Sequence, residues 1–316
     1  MKRLILIFIF LFTIHSGFYS QCCTSGCCAP GTANFGVLEK GDLLVFSFFK
    51  RNYSDKYYQG DHPTNFSYLI NDYADYAGLN LSYGITDKLT VQISSGYFTA
   101  KVENFDLPVI GQQQFSAQGL ADGEIYLKYN FFNSKNKVFS FTASGGARLP
   151  TGQYKQVNGT VQLPRDVQPG SGAYSGILIL YAQIKPFKNK DRSFLLNSRT
   201  DFNGVNSEGF QYGAANTNSL GYLIKIDKAF SLIAMVRNEN KDCDYIHNKG
   251  MFSSSSFRFF ASPGIALSLK NNLSFSLYGD VPVYQKYAGT QLASKYAFSF
   301  AVSKVFEFHE KHELPE

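Results

Sequence analysis

The sequence predicts an all-β fold: a transmembrane antiparallel up-and-down β-barrel of about 12 strands, or about 14, with short periplasmic turns and long extracellular loops. Three observations support this prediction. An export leader opens the chain, apolar and polar residues alternate along many segments, and short and long connections alternate between those segments. The composition agrees, because aromatic residues make up 16% of the chain and charged residues only 17%, whereas soluble domains are about a quarter charged.

The leader has the pattern of an export signal. Lys2 and Arg3 form a basic start, and the apolar core at residues 4–14 is too short for a membrane helix, which needs about 20 residues. Small residues then stand where a signal peptidase would cut. Residues 1–21 are therefore predicted to be a signal peptide, and a buried N-terminal helix is the alternative.

The charge of the chain is mild. The net charge is +6 at pH 7 and the basic residues are dispersed, which argues against nucleic acid as a partner. No stretch after the leader approaches the roughly 18 uninterrupted apolar residues of a membrane helix. An exported, aromatic-rich chain of this kind is typical of β-structure in a second membrane.

Period-two alternation is the main signal in the sequence. In LTVQISSGY, residues 89–97, the apolar Leu89, Val91 and Ile93 alternate with polar residues, and residues 257–269 repeat the pattern. Successive side chains of a strand point to opposite faces, so each such run predicts a strand with one apolar face. The predicted strands, which define a barrel domain at 42–308, are 42–52, 76–86, 89–101, 120–132, 138–149, 173–186, 193–204, 215–227, 230–240, 255–270, 273–284 and 294–308.

The connections between these strands alternate in length. The short ones are 86–88, 133–137, 187–191, 227–229 and 270–272, and long polar ones include 53–75, 102–119, 150–172 and 241–254. Short turns at one rim and long loops at the other are typical of outer-membrane barrels, and an even strand number leaves no open edge to lipid. We expect the chain in the outer membrane of a Gram-negative bacterium with its termini in the periplasm. A secreted soluble sandwich is the alternative.

Aromatic residues cluster where the predicted strands end at the periplasmic rim. They are Tyr129, Phe131, Phe132, Tyr181, Phe187, Phe306 and Phe308. Amphipathic rings favour the headgroup region of a bilayer, so these residues are expected to form a girdle facing the lipid.

Charged residues on the other face of the strands are expected to line the lumen near its outer mouth. They are Asp122, Glu124, Arg148, Arg199, Asp201, Arg237, Arg258 and Asp280. One interpretation is a selectivity zone that contacts a polar or partly polar solute. The other is a set of cross-strand ion pairs that stiffen the wall. A barrel of this size predicts a narrow or plugged channel.

No set of residues predicts catalysis. His62 and His247 fall in predicted outer loops, and His309 and His312 in a periplasmic tail at 309–316. A hydrolase needs a nucleophile, a base and an orienting group that converge, and nothing places a histidine beside a serine. The chain is therefore predicted to have no catalytic residues and not to be an enzyme.

Three stretches resemble a known family. GLADGEIYLKYNFF at 119–132, GARLPTG at 146–152 and DVPVYQKYAGTQLASKYAFSFAVSKVF at 280–306 are similar to the transporter-type outer-membrane barrels associated with the meta-pathway of phenol degradation. In that family a Gly-Asp-containing strand, a Leu-Pro-Thr-Gly strand exit and a Pro-Val-Tyr-Gln penultimate strand recur in this order. Ala121 departs from it, since a glycine is usual there. The resemblance implies an outer-membrane channel for small organic or aromatic compounds.

Four cysteines lie in QCCTSGCCAP, residues 21–30, directly after the predicted signal: Cys22, Cys23, Cys27 and Cys28. The oxidising periplasm favours disulfides, four thiolates could instead hold a soft metal such as Cu(I) or Zn, and Cys22 could be lipidated. As a disulfide or metal staple, the periplasmic segment 22–41 could fold into the lumen as a plug. No other cofactor is predicted. Cys243, in a predicted outer loop, has no obvious partner in the sequence.

These observations predict an outer-membrane channel that passes a small solute by passive diffusion through a narrow lumen. Its partners would be outer-membrane lipid and the solute. Two other functions stay open: a closed structural or adhesive barrel, and a metal- or redox-responsive barrel that uses the N-terminal cysteines.

Overall fold

The computed structural model of the protein describes residues 36–64, 68–136, 138–186 and 191–308. The predicted signal peptide, the four clustered cysteines, Phe187 and the tail with His309 and His312 lie outside these residues. Among the residues described, no helix is long and apolar enough to cross a membrane.

The regular structure consists almost wholly of strands. In chain order they are β1 (Leu43–Gly60), β2 (His62–Pro63), β3 (Leu69–Thr86), β4 (Leu89–Leu107), β5 (Gly111–Leu120), β6 (Gly123–Asn133), β7 (Phe139–Leu149), β8 (Val157–Asn158), β9 (Val161–Gln162), β10 (Ser175–Ile184), β11 (Arg192–Asn203), β12 (Phe210–Gln211), β13 (Ala215–Lys225), β14 (Phe230–Lys241), β15 (Asp244–Ile246), β16 (Lys249–Met251), β17 (Ser256–Ser268) and β18 (Leu273–Phe306). Arg165–Val167 and Phe252–Ser254 form single 3-10 turns.

Within the described part of the chain, eleven strands close an antiparallel barrel. They follow one another as β1, β3, β4, β6, β7, β10, β11, β13, β14, β17 and β18, and β18 pairs with β1. β5 pairs with β4 outside this ring. The short strands β8, β9, β12, β15 and β16 form two small sheets within the long connections, and β2 pairs with β1. The predicted all-β antiparallel barrel is confirmed.

The last strand, β18, is 34 residues long and crosses the barrel twice. Its first half pairs with β17 and its second half with β1. The two halves also contact each other: the rings of Phe275 and Phe300 stack with centroids 6.3 Å apart, and Gln285 Nε2 donates to the Ser294 carbonyl at 2.9 Å. β18 is therefore a hairpin, so the wall has an even number of crossings, about 12 as predicted, and the barrel begins and ends at one rim.

The strands reach further at the rim of the long connections than the sequence predicts. β1 continues to Gly60, β4 continues to Leu107, and β5 occupies a predicted loop, so the assignment of 53–75 and 102–119 as loops is wrong over most of their length. The hydrogen-bonded ladder continues there, but only the lipid-facing part of a barrel strand needs an apolar outer face. Irregular register in β1 and β4 also changes which residues share a face, so the alternation ends before the strands do.

The outer face of the wall is apolar and the inner face is polar, which is the reverse of a soluble barrel. Leu79, Ile93 and Leu127 are 44–55% exposed on the outside, whereas Ser82 and Thr90 are at most 1% exposed on the inside. Polar groups satisfy one another inside, as where Ser82 Oγ donates to Gln92 Oε1 at 3.2 Å and Gln92 Nε2 donates to Ser94 Oγ at 2.9 Å. An apolar outer surface of this extent belongs in lipid.

Aromatic residues mark both edges of the apolar surface. At the rim of the short turns, Tyr129, Phe131, Phe132, Phe306 and Phe308 are exposed as predicted. Tyr181 is the exception, and its placement in the girdle is wrong. It is only 5% exposed, because the regular alternation of β10 turns its ring to the inner face.

At the opposite edge, the outward side chains of β1, β3 and β18 form an outer ring, defined here as Arg51, Tyr53, Tyr73, Asp75 and Tyr296. Arg51 Nε donates to Asp75 Oδ1 at 2.6 Å, the Arg51 guanidinium lies 5.2 Å from the Tyr73 ring centroid, and Tyr53 stacks on Tyr296 at 5.1 Å. An outward ion pair next to tyrosines marks where the lipid-facing surface gives way to water.

Candidate functional site

Four of the predicted lumenal charges form one network at the end of the lumen nearer the long connections. Glu124 of β6 and Arg148 of β7 lie opposite each other in the ladder, and Arg199 and Asp201 come from β11. Arg148 Nε donates to Glu124 Oε1 at 2.9 Å and Arg148 Nη2 donates to Asp201 Oδ1 at 2.8 Å. Arg199 Nη2 donates to both carboxylates, at 2.8 Å and 2.7 Å. The network has two cations and two anions and is charge-balanced.

A tyrosine completes this first network. Tyr126 lies two residues after Glu124 on the same face of β6, donates its hydroxyl hydrogen to Glu124 Oε2, and accepts from Arg199 Nη1 at 3.0 Å. All five side chains belong to buried residues. Buried charges are stable only when each is paired and hydrogen-bonded, and these are.

Three further predicted charges join a second network across the lumen. Arg237 Nη2 lies 3.1 Å from Asp280 Oδ2, and Arg258 Nη2 lies 2.7 Å from Glu239 Oε2. Lys50 Nζ of β1 lies 3.9 Å from Asp280 Oδ2. This network contains three cations and two anions, so it has a net charge of +1 when all five are ionised.

Asp122 stands apart from both networks and instead fastens a long connection to the wall. Its Oδ1 accepts from the Gly152 N–H at 3.0 Å, and its Oδ2 accepts from the Ser171 N–H at 2.9 Å and the Ser171 hydroxyl at 2.6 Å. Thr151 Oγ1 accepts from the Gly123 N–H at 2.8 Å. The GLADG and LPTG stretches, distant in the sequence, therefore lie in contact.

Sequence reasoning missed Lys50, Glu239 and Tyr126. Glu239 and Tyr126 each lie two positions from a residue that was predicted, on the same face of the same strand, so the period of two could have found them. Lys50 gave no such signal, because the residues before it in β1 are apolar on both faces. Whether the charges select a solute stays a prediction.

An aromatic column lines the lumen directly beside the second network. Phe46 and Phe48 of β1, Tyr76 of β3 and Phe98 of β4 are all buried on the inner face, with successive ring centroids 5.6, 5.6 and 4.8 Å apart. Lys50 is the next inward residue of β1 after Phe48 and lies opposite Tyr76. The inner face of the wall therefore carries a packed cluster of aromatic rings, each at most 7% exposed, next to paired charges.

Two glycines make room for this column. A Cβ on Gly78 would lie 2.4 Å from the Phe48 ring, and a Cβ on Gly96 would lie 2.2 Å from the Tyr76 hydroxyl. Both glycines face inward in neighbouring strands, directly opposite each other. Each ring packs against bare backbone, which no other residue would allow without displacing it.

The closed antiparallel wall, the apolar outside and the polar inside define the class of protein as an outer-membrane β-barrel. Among solved structures, the chain is similar to an outer-membrane channel from Pseudomonas putida F1, with a TM-score of 0.70, 11% identity and coverage of 88% of this chain and 100% of that one. It is also similar to the deltaS2 mutant of the TodX monoaromatic hydrocarbon channel, with a TM-score of 0.50, 11% identity and coverage of 86% and 91%. No protein-family model and no curated protein matches the sequence. At such low identity, the likeness establishes the fold.

Proposed function

We propose that the chain is a passive channel of a Gram-negative outer membrane for small organic solutes of the monoaromatic class. The observation that carries the proposal is the lumenal column of Phe46, Phe48, Tyr76 and Phe98. Aromatic rings stack with planar apolar solutes, and such contacts contribute about 0.5–1.5 kcal/mol each beyond area burial. Because the four rings are at most 7% exposed, a solute would make these contacts by displacing a ring from its neighbours. The name of one similar structure, an outer-membrane channel, supports a channel, and the name of the other, a monoaromatic hydrocarbon channel, supports the same solute class.

The two ion-pair networks would determine which polar or charged solutes can enter the lumen. Paired charges offer a polar solute few free donors or acceptors, and their net charge is small, so the lumen would attract neither anions nor cations strongly. A solute with an aromatic ring and one polar group would match a wall of rings beside paired charges. The predicted charged residues would thus position and filter the solute rather than bind it tightly.

The orientation follows from outer-membrane barrels in general. Their short turns lie in the periplasm and their long connections outside the cell. On this basis the barrel ends near Leu43 and Phe306 would face the periplasm, and the two networks would lie near the external mouth. Lipid would surround the apolar wall below the outer ring.

The test is protein-dependent uptake of a labelled monoaromatic alcohol by porin-poor Gram-negative cells. We expect cells that produce the chain to take up benzyl alcohol faster than cells with an empty vector. Uptake of a charged aromatic, benzylamine, should rise much less. Equal rates with and without the protein would contradict the proposal and favour a closed structural barrel.

A further inference from the structure

The longest external connection, residues 150–174, folds inward over the lumen. This segment is called the mouth loop below. Lys101, whose ammonium lies 5.0 Å from the centroid of the inward Phe98 ring, donates to the Gln168 carbonyl of the loop at 2.9 Å. The loop joins β7 to β10, yet it reaches the inner face of β4, which lies two strands beyond β7. It therefore crosses part of the external mouth.

The turn of the mouth loop is packed rather than solvated. Leu163 and Val167 are 5% and 1% exposed and form an apolar cluster with Ala117 of β5. Gln168 holds the turn closed, since its side chain accepts from the Gln156 N–H at 2.9 Å and donates to the Leu163 carbonyl at 3.0 Å. The turn is thus a compact unit that docks on the wall through the apolar cluster and Lys101, while Asp122 fastens the two ends of the loop.

Acidic groups surround the docked turn. Asp72 of β3 and Glu103 of β4 lie directly opposite each other in the ladder. Asp166 of the turn interacts electrostatically with both, and so do Lys101 of β4 and Tyr57 of β1. Among the residues that the structure describes, the two wall carboxyls interact with Asp166 and with one cation, Lys101, so docking with all three carboxyls ionised would be opposed by uncompensated repulsion.

Asp72, Glu103 and Tyr57 lie beyond the outer ring, outside the lipid-facing part of the wall, and Lys101 lies level with the ring, opposite Ala74. Burial raises the pKa of Asp72 to about 7, with Lys101 opposing and Asp166 adding to the shift. Burial also raises the pKa of Glu103 to about 7; Asp72 and Asp166 add to this shift and Lys101 opposes it. Burial raises the pKa of Tyr57 to about 12, so this phenol stays neutral throughout the range in which the carboxyls titrate.

We propose that the mouth loop is a lid that docks on the inner face of β4 in acid and is released as Asp72 and Glu103 lose their protons. Release would uncover the lumen beside the aromatic column. The lid would regulate the channel proposed above, so its regulatory role rests on that proposed function. Docking itself is a property of the loop, so it can be tested without any solute.

The direction of the pH response follows from proton linkage. In the released state the two carboxyls are solvated and titrate towards their ordinary pKa values, 3.8 and 4.5. Below about pH 4 both are protonated in either state and docking is strongest. From about pH 4 to about pH 7 only the released state ionises, and docking weakens by up to about tenfold per pH unit for each group. Above about pH 7 no further loss occurs.

The experiment measures thiol labelling of Val167→Cys, in the buried turn, against Val161→Cys, at an exposed position of the same loop. The full-length protein is labelled with a maleimide between pH 5 and pH 8, and labelling is quantified on the loop peptide by mass spectrometry. Because the ratio of the two rates cancels the reagent's own pH dependence, it reports docking. We expect the ratio to rise at least about tenfold from pH 5 to pH 8.

The matched variants separate the carboxyl pair from general effects of pH. With Asp72→Asn and Glu103→Gln together, the ratio should stay low at every pH. With Asp106→Asn, further along β4, it should rise as in the parent. A ratio that does not change with pH in the parent, or that still rises in the double variant, would overturn the proposal. If Val167→Cys does not fold, Leu163→Cys reports the same buried cluster.

Discussion

At the scale of single residues, the molecule depends on charges that are buried only because they are paired. Arg199 binds two carboxylates and one tyrosine hydroxyl in the first network. Removing one partner leaves the others uncompensated at buried positions. The contribution of each charged residue to the stability of the barrel therefore depends on its partners more than on its own side chain.

Arg199→Ala should destabilise the barrel by about 3–5 kcal/mol, because Glu124 and Asp201 would each lose a buried cation. Reversible urea unfolding in lipid vesicles, followed by circular dichroism, measures the change. The control is Arg51→Ala, which removes an ion pair from the outer ring where water reaches it, and should cost about 0–1 kcal/mol. Equal losses in both variants would show that the first network is not a stabilising unit.

Gly78→Ala should displace the Phe48 ring, because the new Cβ would lie 2.4 Å from it. Overpacking of this kind costs about 1–3 kcal/mol, measured in the same unfolding experiment. Gly145→Ala on β7 is the matched control, because no atom lies within 4 Å of its Cβ position. If Gly78→Ala proved as stable as Gly145→Ala, the aromatic column would not be packed as described.

At the scale of elements, the alternation of apolar and polar residues predicted the parts of the strands that face lipid. It did not predict the parts that extend beyond the lipid, where no apolar outer face is required. The barrel strands β6, β7, β10, β11, β13, β14 and β17 fall close to their predicted bounds. The outer parts of β1, β3 and β4 do not, since their polar outer faces resemble loops. The contacts of Lys50 with β18 and of Asp122 with the mouth loop depend on strand register and on loop packing, neither of which leaves a local pattern.

Asp122 holds the two ends of the mouth loop to the wall by hydrogen bonds. Asp122→Ala removes the acceptor of three hydrogen bonds at the two ends of the loop, so the loop should open more often while the barrel stays intact. We expect tryptic cleavage at Lys155 and Arg165 to become about tenfold faster.

The control for this change is Asp87→Ala, at the opposite rim, where Asp87 Oδ1 accepts from the Lys40 N–H at 3.1 Å. Cleavage of the mouth loop should be unchanged in that variant. An unchanged rate in Asp122→Ala as well would mean that the loop is held without the aspartate. In that case the GLADG and LPTG stretches would lie in contact without holding the loop to the wall.

At the scale of the whole molecule, the wall has three kinds of surface. Apolar side chains face lipid, paired charges and small polar residues cover much of the inner face, and the aromatic column of β1, β3 and β4 forms a packed apolar part of that inner face. Alternation in the sequence predicted the apolar outer face and the charged, polar inner face, and left open whether the inner charges pair with one another or contact a solute. It could not separate the third, because β1 is apolar on both faces and only the closed barrel shows which of its phenylalanines face inward.

The most direct test of the account compares Phe48→Leu with Phe49→Leu in the benzyl alcohol uptake assay. The two variants make the same chemical change at adjacent positions, one in the lumenal column and one on the lipid-facing side. We expect Phe48→Leu to lower the protein-dependent uptake rate severalfold and Phe49→Leu to leave it near the parent value. Equal uptake by both variants, at equal amounts of folded barrel, would contradict the claim that the aromatic column carries the solute.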